Sequence, residues 1–286
     1  MTRSRFNVMA SIILMLAIAL PASAQGKSGQ NHGKPPAAPP PTTTNLPAAG
    51  SGTGATGAAT APFAWMDDAS LMTPGAVWLG VSMVQWHGGG ASEVVVPAFD
   101  GSIGLTPRVQ LGASVPRVAG GIGTTFFSTK IGIMNNEERG MKLAVAPTLE
   151  ILSKGSVAAG QSRTQWGLPV SVEIDREAVR IFGSSGYFSP GVWYAGAGIG
   201  RSLTNRLGVS LAFSRAWTGQ ATAGTATIAG PRRNDLSGGA SYDVTPNIAV
   251  FGSIGRTLAT AAENGAGTTV SFGLSLNAGG QVPVRK

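Results

Sequence analysis

A two-residue rhythm constrains this chain more than any other feature. From about residue 75 to residue 276, apolar residues alternate with small or polar ones in bursts of roughly ten. The cleanest burst runs from Met141 to Ile151. Met141, Leu143, Val145, Pro147, Leu149 and Ile151 take one side, and Lys142, Ala144, Ala146, Thr148 and Glu150 take the other. Successive side chains of a strand point to opposite faces, so such a segment has one apolar face and one polar face. A water-soluble sandwich also alternates. Three further features separate the two cases: an export signal, no cysteine, and about twelve such bursts joined by alternately tight and loose connections. Together they predict an all-β fold, an antiparallel transmembrane β-barrel of about 12 strands.

The first 24 residues have the anatomy of a secretory signal. Arg3 and Arg5 form the basic start, Val8 to Leu20 the apolar stretch, and Ala22-Ser23-Ala24 the small-residue site, with cleavage expected after Ala24. The apolar stretch is too short for a spanning helix and runs straight into Pro21. No cysteine follows, which excludes a lipoprotein anchor, disulfides and thiolate metal sites. Residues 25–68 form a Pro/Gly/Ala-rich leader with almost no large apolar group over residues 25 to about 62. Such a segment buries too little surface to offset its ordering entropy, and a disordered periplasmic leader is expected. The alternative is that it enters the lumen as a plug. Residues 69–280 are assigned to the barrel and 281–286 to a polar tail.

Strands are predicted near 75–86, 92–104, 108–117, 123–134, 141–153, 164–175, 177–188, 191–203, 206–217, 232–245, 247–258 and 267–276. Their connections fall into two populations. Leu105 to Arg108, Asn135 to Gly140, Asp175 to Glu177, Leu203 to Arg206 and Val244 to Asn247 are short. The connections at 87–91, 118–122, 154–163, 189–190, 218–231 and 259–266 are on average longer. Tight turns at one rim and longer loops at the other are the polarity of outer-membrane barrels. An even strand number then places both termini at the periplasmic rim.

A formal charge of +8 raises the question of nucleic acid. Six of the 21 basic residues lie in the signal, leader or tail, and two of the 13 acids precede the first strand, which leaves the strand region near +4. Without a dense basic run or interleaved surface aromatics, nucleic-acid binding is not expected.

The second half carries a resemblance. Gly186-Tyr187-Phe188-Ser189-Pro190-Gly191, Ala195 to Ile199, Leu203 to Leu211, Leu236 to Asn247 and Phe251 to Arg256 resemble bacterial outer-membrane proteins of the "MetA-pathway of phenol degradation" type. The resemblance covers about residues 75 to 276 and rests on glycines, a turn and a girdle aromatic. It implies an outer-membrane channel for small aromatic or hydrophobic compounds, and it carries over no catalytic residue. One departure is the polar stretch from Asn277 to Lys286, where many such barrels end on an aromatic residue read by the barrel assembly machinery.

Enzyme chemistry finds no support. His32 and His87 are the two histidines, one in the leader and one in the first loop, so no residue is set to serve a nucleophile. Gly26-Lys27-Ser28 lacks the earlier glycine of a phosphate-binding loop. No catalytic residue, metal site or cofactor is expected.

Inward charges are the candidate functional residues. Arg108, Lys130, Lys142, Arg180 and Arg233, with Glu150, Glu173, Asp175, Asp235 and Asp243, fall on the lumen phase. They either pair with one another to support the interior or set pore selectivity, as rings of charged side chains do. Arg215 and Arg256 fall instead on the lipid phase near the loop rim, and are expected to reach lipopolysaccharide phosphates. Trp166 and Trp217 are assigned to the loop-side interface, and Phe99 and Tyr242 to the other or to mid-band. The inward faces, rich in Gly, Ser and Ala, are expected to leave an open lumen. The function expected is passive passage of a small solute; the alternative is a non-conducting structural or adhesive barrel, and a soluble sandwich is the third reading.

Overall fold

The structure, a computed structural model, describes residues 68–88, 91–118, 121–152, 162–176, 179–189, 191–218, 221–223, 226–228, 232–258 and 267–279. The expected signal peptide, residues 25–67 of the leader, the 281–286 tail and the side chain of Arg233 lie outside the described residues.

Among the described residues, alternation has become a closed wall. Its strands are β1 (Val77–Gly88), β2 (Ala91–Thr106), β3 (Val109–Val118), β4 (Thr125–Asn136) and β5 (Met141–Val145, continued by Thr148–Ile151). Then follow β6 (Thr164–Arg176), β7 (Val179–Phe188), β8 (Val192–Ser202) and β9 (Leu207–Thr218). β10 (Arg232–Thr245), β11 (Ile248–Thr257) and β12 (Gly267–Ala278) complete the series. A two-residue strand, Gly121–Ile122, pairs with the end of β3, and Ala221–Ala223 pairs with Ala226–Ile228 in a small hairpin between β9 and β10. Each long strand pairs antiparallel with its neighbour in sequence, and β1 closes on β12 from Val77↔Ala278 to Gly88↔Gly267. Closure removes the free edges that an open sheet would present to lipid.

The polarity of this wall is inverted relative to a soluble protein. Leu168, Val170, Val172, Leu211, Phe213, Phe272 and Leu274 are exposed on its outside, while Ser171, Glu173, Ser184, Ser214, Ser237 and Ser271 are buried inside it. On β6 the alternation is complete: Trp166 is 55% exposed, and Glu173, on the opposite face, 1%. A soluble sandwich would bury the first set, so that reading is excluded.

The phase is less clean in β1 and β2, and the register gives the reason. The ladder between them slips at Ser82/Val84, and that between β2 and β3 slips at Val95/Ala98, where Val96-Pro97 bulges out. Pro97 has no N–H to give the ladder. Before it Val94 and Val96 face out; after it Phe99, Ile103 and Leu105 do, so one extra residue has switched the parity.

Threonine builds three of the tight turns. Thr106 Oγ1 accepts from the Arg108 N–H at 3.2 Å. Thr204 Oγ1 accepts from Arg206 and Leu207 N–H at 3.2 and 3.0 Å, and Thr245 Oγ1 from Asn247 and Ile248 N–H at the same two distances. A hydroxyl that satisfies the turn's own amides lets the chain reverse within a few residues.

Asp68 to Met72 lies inside the wall, with Asp68, Ala69, Ser70 and Met72 buried, while Thr73 to Gly75 is exposed and Ala76 is buried again. Its exit is a Thr73-Pro74-Gly75-Ala76 turn, closed by an Ala76 N–H to Thr73 carbonyl bond of 3.0 Å. Pro74 presets the first central position and Gly75, at φ 78°, takes the second. The turn is tied to β2 by Gly75 N–H to Gly104 O and Gly104 N–H to Ala76 O, 2.8 and 3.0 Å. Gly104 is required here, because a Cβ would run into the Thr73 carbonyl.

Candidate functional site

The lumen is built by register. Lys142 of β5 stands opposite Glu173 of β6, Gln110 of β3 opposite Lys130 of β4, and Asp175 of β6 opposite Arg180 of β7. All lie in the half of the barrel nearer the tight turns, and here the inner segment meets them. Asp68, with no exposed surface, accepts from Arg180 Nη1 at 2.8 Å and from Lys130 Nζ at 3.4 Å. Lys130 Nζ also donates to the Asp68 and Ser70 carbonyls at 3.1 and 3.2 Å. Ser70 Oγ lies 2.9 and 2.8 Å from the two Glu173 oxygens, and Lys142 Nζ bridges Ser70 Oγ and Glu173 Oε1 at 2.8 and 3.0 Å. The Met72 N–H donates to Gln110 Oε1 at 2.9 Å, and Ser102 Oγ approaches Met72 Sδ at 3.1 Å. A charge withdrawn from water needs such partners, since unpaired it costs several kcal/mol.

Lys130, Lys142, Glu173 and Arg180 are therefore brought together through Asp68 and Ser70, rather than through mutual pairs alone. Asp175 stands beside this cluster, opposite Arg180, and Glu150 and Asp235 lie apart from it. Glu150 of β5 is buried at 1% exposure with Oε1 unbonded. Asp235 of β10 accepts from Thr257 Oγ1 at 2.7 Å. Arg108 departs from expectation: β2 ends at Thr106, Pro107-Arg108 forms the two-residue turn, and the Arg108 side chain is exposed at the rim instead of facing the lumen. Asp100 was missed. It is buried in β2 with Oδ1 unbonded, on a face visible only once the Pro97 bulge is allowed to switch parity.

The interior is also less open than its glycines imply. Phe188 of β7 lies over Gly167 of β6, Phe182 of β7 over Gly198 of β8, and Phe251 of β11 over Gly273 of β12, each across the ladder from its glycine. Trp86 lies likewise over Gly267, and Trp78 over Gly80. These glycines do not free lumen space. They are seats on which inward rings lie against the sheet, covering backbone that glycine leaves bare. Phe188, Tyr194 and Ala216 form a buried cluster in the loop-side half, with Tyr194 Oη 3.0 Å from Ser184 Oγ. The Arg180 guanidinium stands 5.2 Å from the centre of the Phe182 ring. The interior is amphipathic, with seated rings and buried charges both along its length.

No family model matches this chain, and no curated protein does. Solved structures do. The NanC porin superposes with a TM-score of 0.54 at 10% identity, over 69% of this chain and 98% of the porin. An outer membrane channel from Pseudomonas putida F1 superposes with a TM-score of 0.52 at 13% identity, over 74% of this chain and 98% of the channel. The fold, a closed antiparallel barrel, is shared with these two outer-membrane proteins. At these identities the likeness is one of architecture.

The lipid face carries its own features. Trp166 of β6, Tyr187 of β7 and Trp193 of β8 form a row of rings with centroids 5.3 and 4.9 Å apart, and Trp217 of β9 stands opposite Trp193 in register. Such rows sit at the level of the headgroups. Trp166 and Trp217 thus stand on the outward face at the loop-side ends of their strands. Arg215 and Arg256 are both exposed on the outward face, Arg256 with Nη1 3.3 Å from Thr268 Oγ1.

Proposed function

We propose that this chain is an outer-membrane channel through which a small hydrophobic or aromatic solute passes by diffusion, without cofactor or energy source. The carrying observation is a closed wall, apolar outside and polar with seated aromatic rings inside, which forms a passage for solutes with both characters. The porin and channel architecture supports the channel role, and the resemblance of its glycine and turn motifs to the phenol-degradation type supports the solute class. In this reading the signal peptide is cleaved after Ala24, both termini are periplasmic, and the assembly machinery inserts the barrel. Lys130, Lys142, Glu150, Glu173, Arg180, Arg233 and Asp235 tune passage as lumen charges, while Arg215 and Arg256 contact lipopolysaccharide. The test is uptake into proteoliposomes: phenol entering faster than a neutral disaccharide supports the reading, and equal rates with empty liposomes for both contradict it.

A second reading, a non-conducting structural or adhesive barrel, is favoured by one observation. Asp68 to Met72 stands among the inward side chains of the wall. A barrel held shut by that segment would give no conductance under any condition.

A further inference from the structure

The inner segment is held in an unusual way. Its root, Gly75 and Ala76, is bonded backbone to backbone with Gly104. Upstream of the root, each described polar contact with the wall uses a wall side chain: Gln110 on Met72, Lys142 and Glu173 on Ser70, Lys130 and Arg180 on Asp68. No ladder ties it in, and its apolar anchorage is the small cluster of Met72, Ala76 and Trp78. Contacts of this kind exchange for water or solute one at a time, while a ladder does not. The segment touches β2 to β7, about half the circumference.

We propose that Asp68 to Met72 is a displaceable latch. It closes the tight-turn half of the lumen, swings on the Thr73-Pro74-Gly75-Ala76 turn, and on leaving uncovers a site that favours anions. The inference rests on the channel reading. Its electrostatic side follows from the charges around the cluster. Lys130, Lys142 and Arg180 face Glu173, Asp175 and the latch's own Asp68. When the latch leaves it takes one carboxylate with it, so that around the cluster Lys130, Lys142 and Arg180 stand against Glu173 and Asp175 alone. Arg180 Nη2 is buried without a hydrogen-bond partner even with the latch in place, which leaves a donor for a further acceptor. The Asp68 carboxylate thus stands where the carboxylate or phosphate of a small anionic solute would stand, and the uncovered site favours negative charge at this level of the lumen.

The experiment compares the full chain with Asp68→Asn/Ser70→Ala and, as an independent route, with Gly104→Ala, which pushes on the Thr73 carbonyl from the wall. Each is checked for a folded barrel by the faster migration of the unboiled protein. Single-channel recording in a potassium chloride gradient gives open time and reversal potential. Because the chain has no cysteine, an added Ala69→Cys reports latch position through reaction with a membrane-impermeant maleimide. Expected are open time and labelling rate each raised about tenfold or more in both variants, since removing one partner from a buried charge cluster strongly weakens it. The reversal potential is expected to move toward that of chloride. Slow labelling and unchanged conductance in both variants, or fast labelling in the otherwise unmodified chain, overturns the latch alone. Fast labelling in the variants with no conductance in any form overturns the channel reading, and the gate with it.

Discussion

At the scale of single residues, small inward positions act in pairs. Gly167 and Phe188 are 21 positions apart in sequence yet opposite in register, and the ring of one occupies the space that the other leaves. Gly167→Val is expected to expel the Phe188 ring and to cost about 1–3 kcal/mol, as overpacking does, read as a lower denaturant midpoint of the barrel in detergent. Gly191, at φ 122° with open space around it, is governed by backbone and not by packing, so Gly191→Ala there tests strain alone. This pairing was not legible in the sequence, where a glycine reads as vacancy; its partner ring lies on another strand and is fixed only by register. Parity was legible for Lys130, Lys142, Glu173 and Arg180, since a strand fixes which face a side chain takes. What holds them was not. Asp68 and Ser70 precede the first alternating residue, and no periodicity marks them.

At the scale of the strand, alternation carries the argument, and it is strongest where no residue is inserted. In β6 and β9 the predicted outward and inward sets are those observed, because the ladders to their neighbours run without a slip. In β2 the extra residue at Pro97 reverses parity part-way, which hid Asp100. Pro97 alone does not signal it, since Pro169 stands within β6 without any slip. Two predictions belong here. Val170, midway along β6, is exposed on the lipid face, so Val170→Arg is expected to lower stability by about 2–4 kcal/mol, measured by reversible unfolding in liposomes. Arg215 and Arg256 lie on the same face but near the loop rim, where a charge costs only about 0–1 kcal/mol. Replacing both with Ser is expected to leave folding intact and to reduce lipopolysaccharide retained by the purified barrel. Unchanged retention would sink that contact.

At the scale of the whole molecule, the strand count was readable because most strands are long, while the expected loose connection after the first strand is residues 89–90 alone, as short as Pro107-Arg108. The closing pair, β1 on β12, follows from the even count and from the lack of any other partner for two apolar-faced edges. The inner segment changes what such a barrel can do. Under the latch proposal, the wall conducts once Asp68 leaves Lys130 and Arg180 and is closed while those contacts hold. The channel and closed-barrel readings then become two states of one molecule, separated by a handful of polar contacts. All of this stands on one claim: the chain is a closed barrel whose apolar side chains face lipid. Gel mobility of the detergent-extracted membrane fraction, with and without boiling, tests it most directly. The unboiled protein is predicted to migrate faster and to stay with the membrane in alkaline carbonate. Identical mobility, with release by carbonate, would contradict the lipid-facing assignment of every alternating strand.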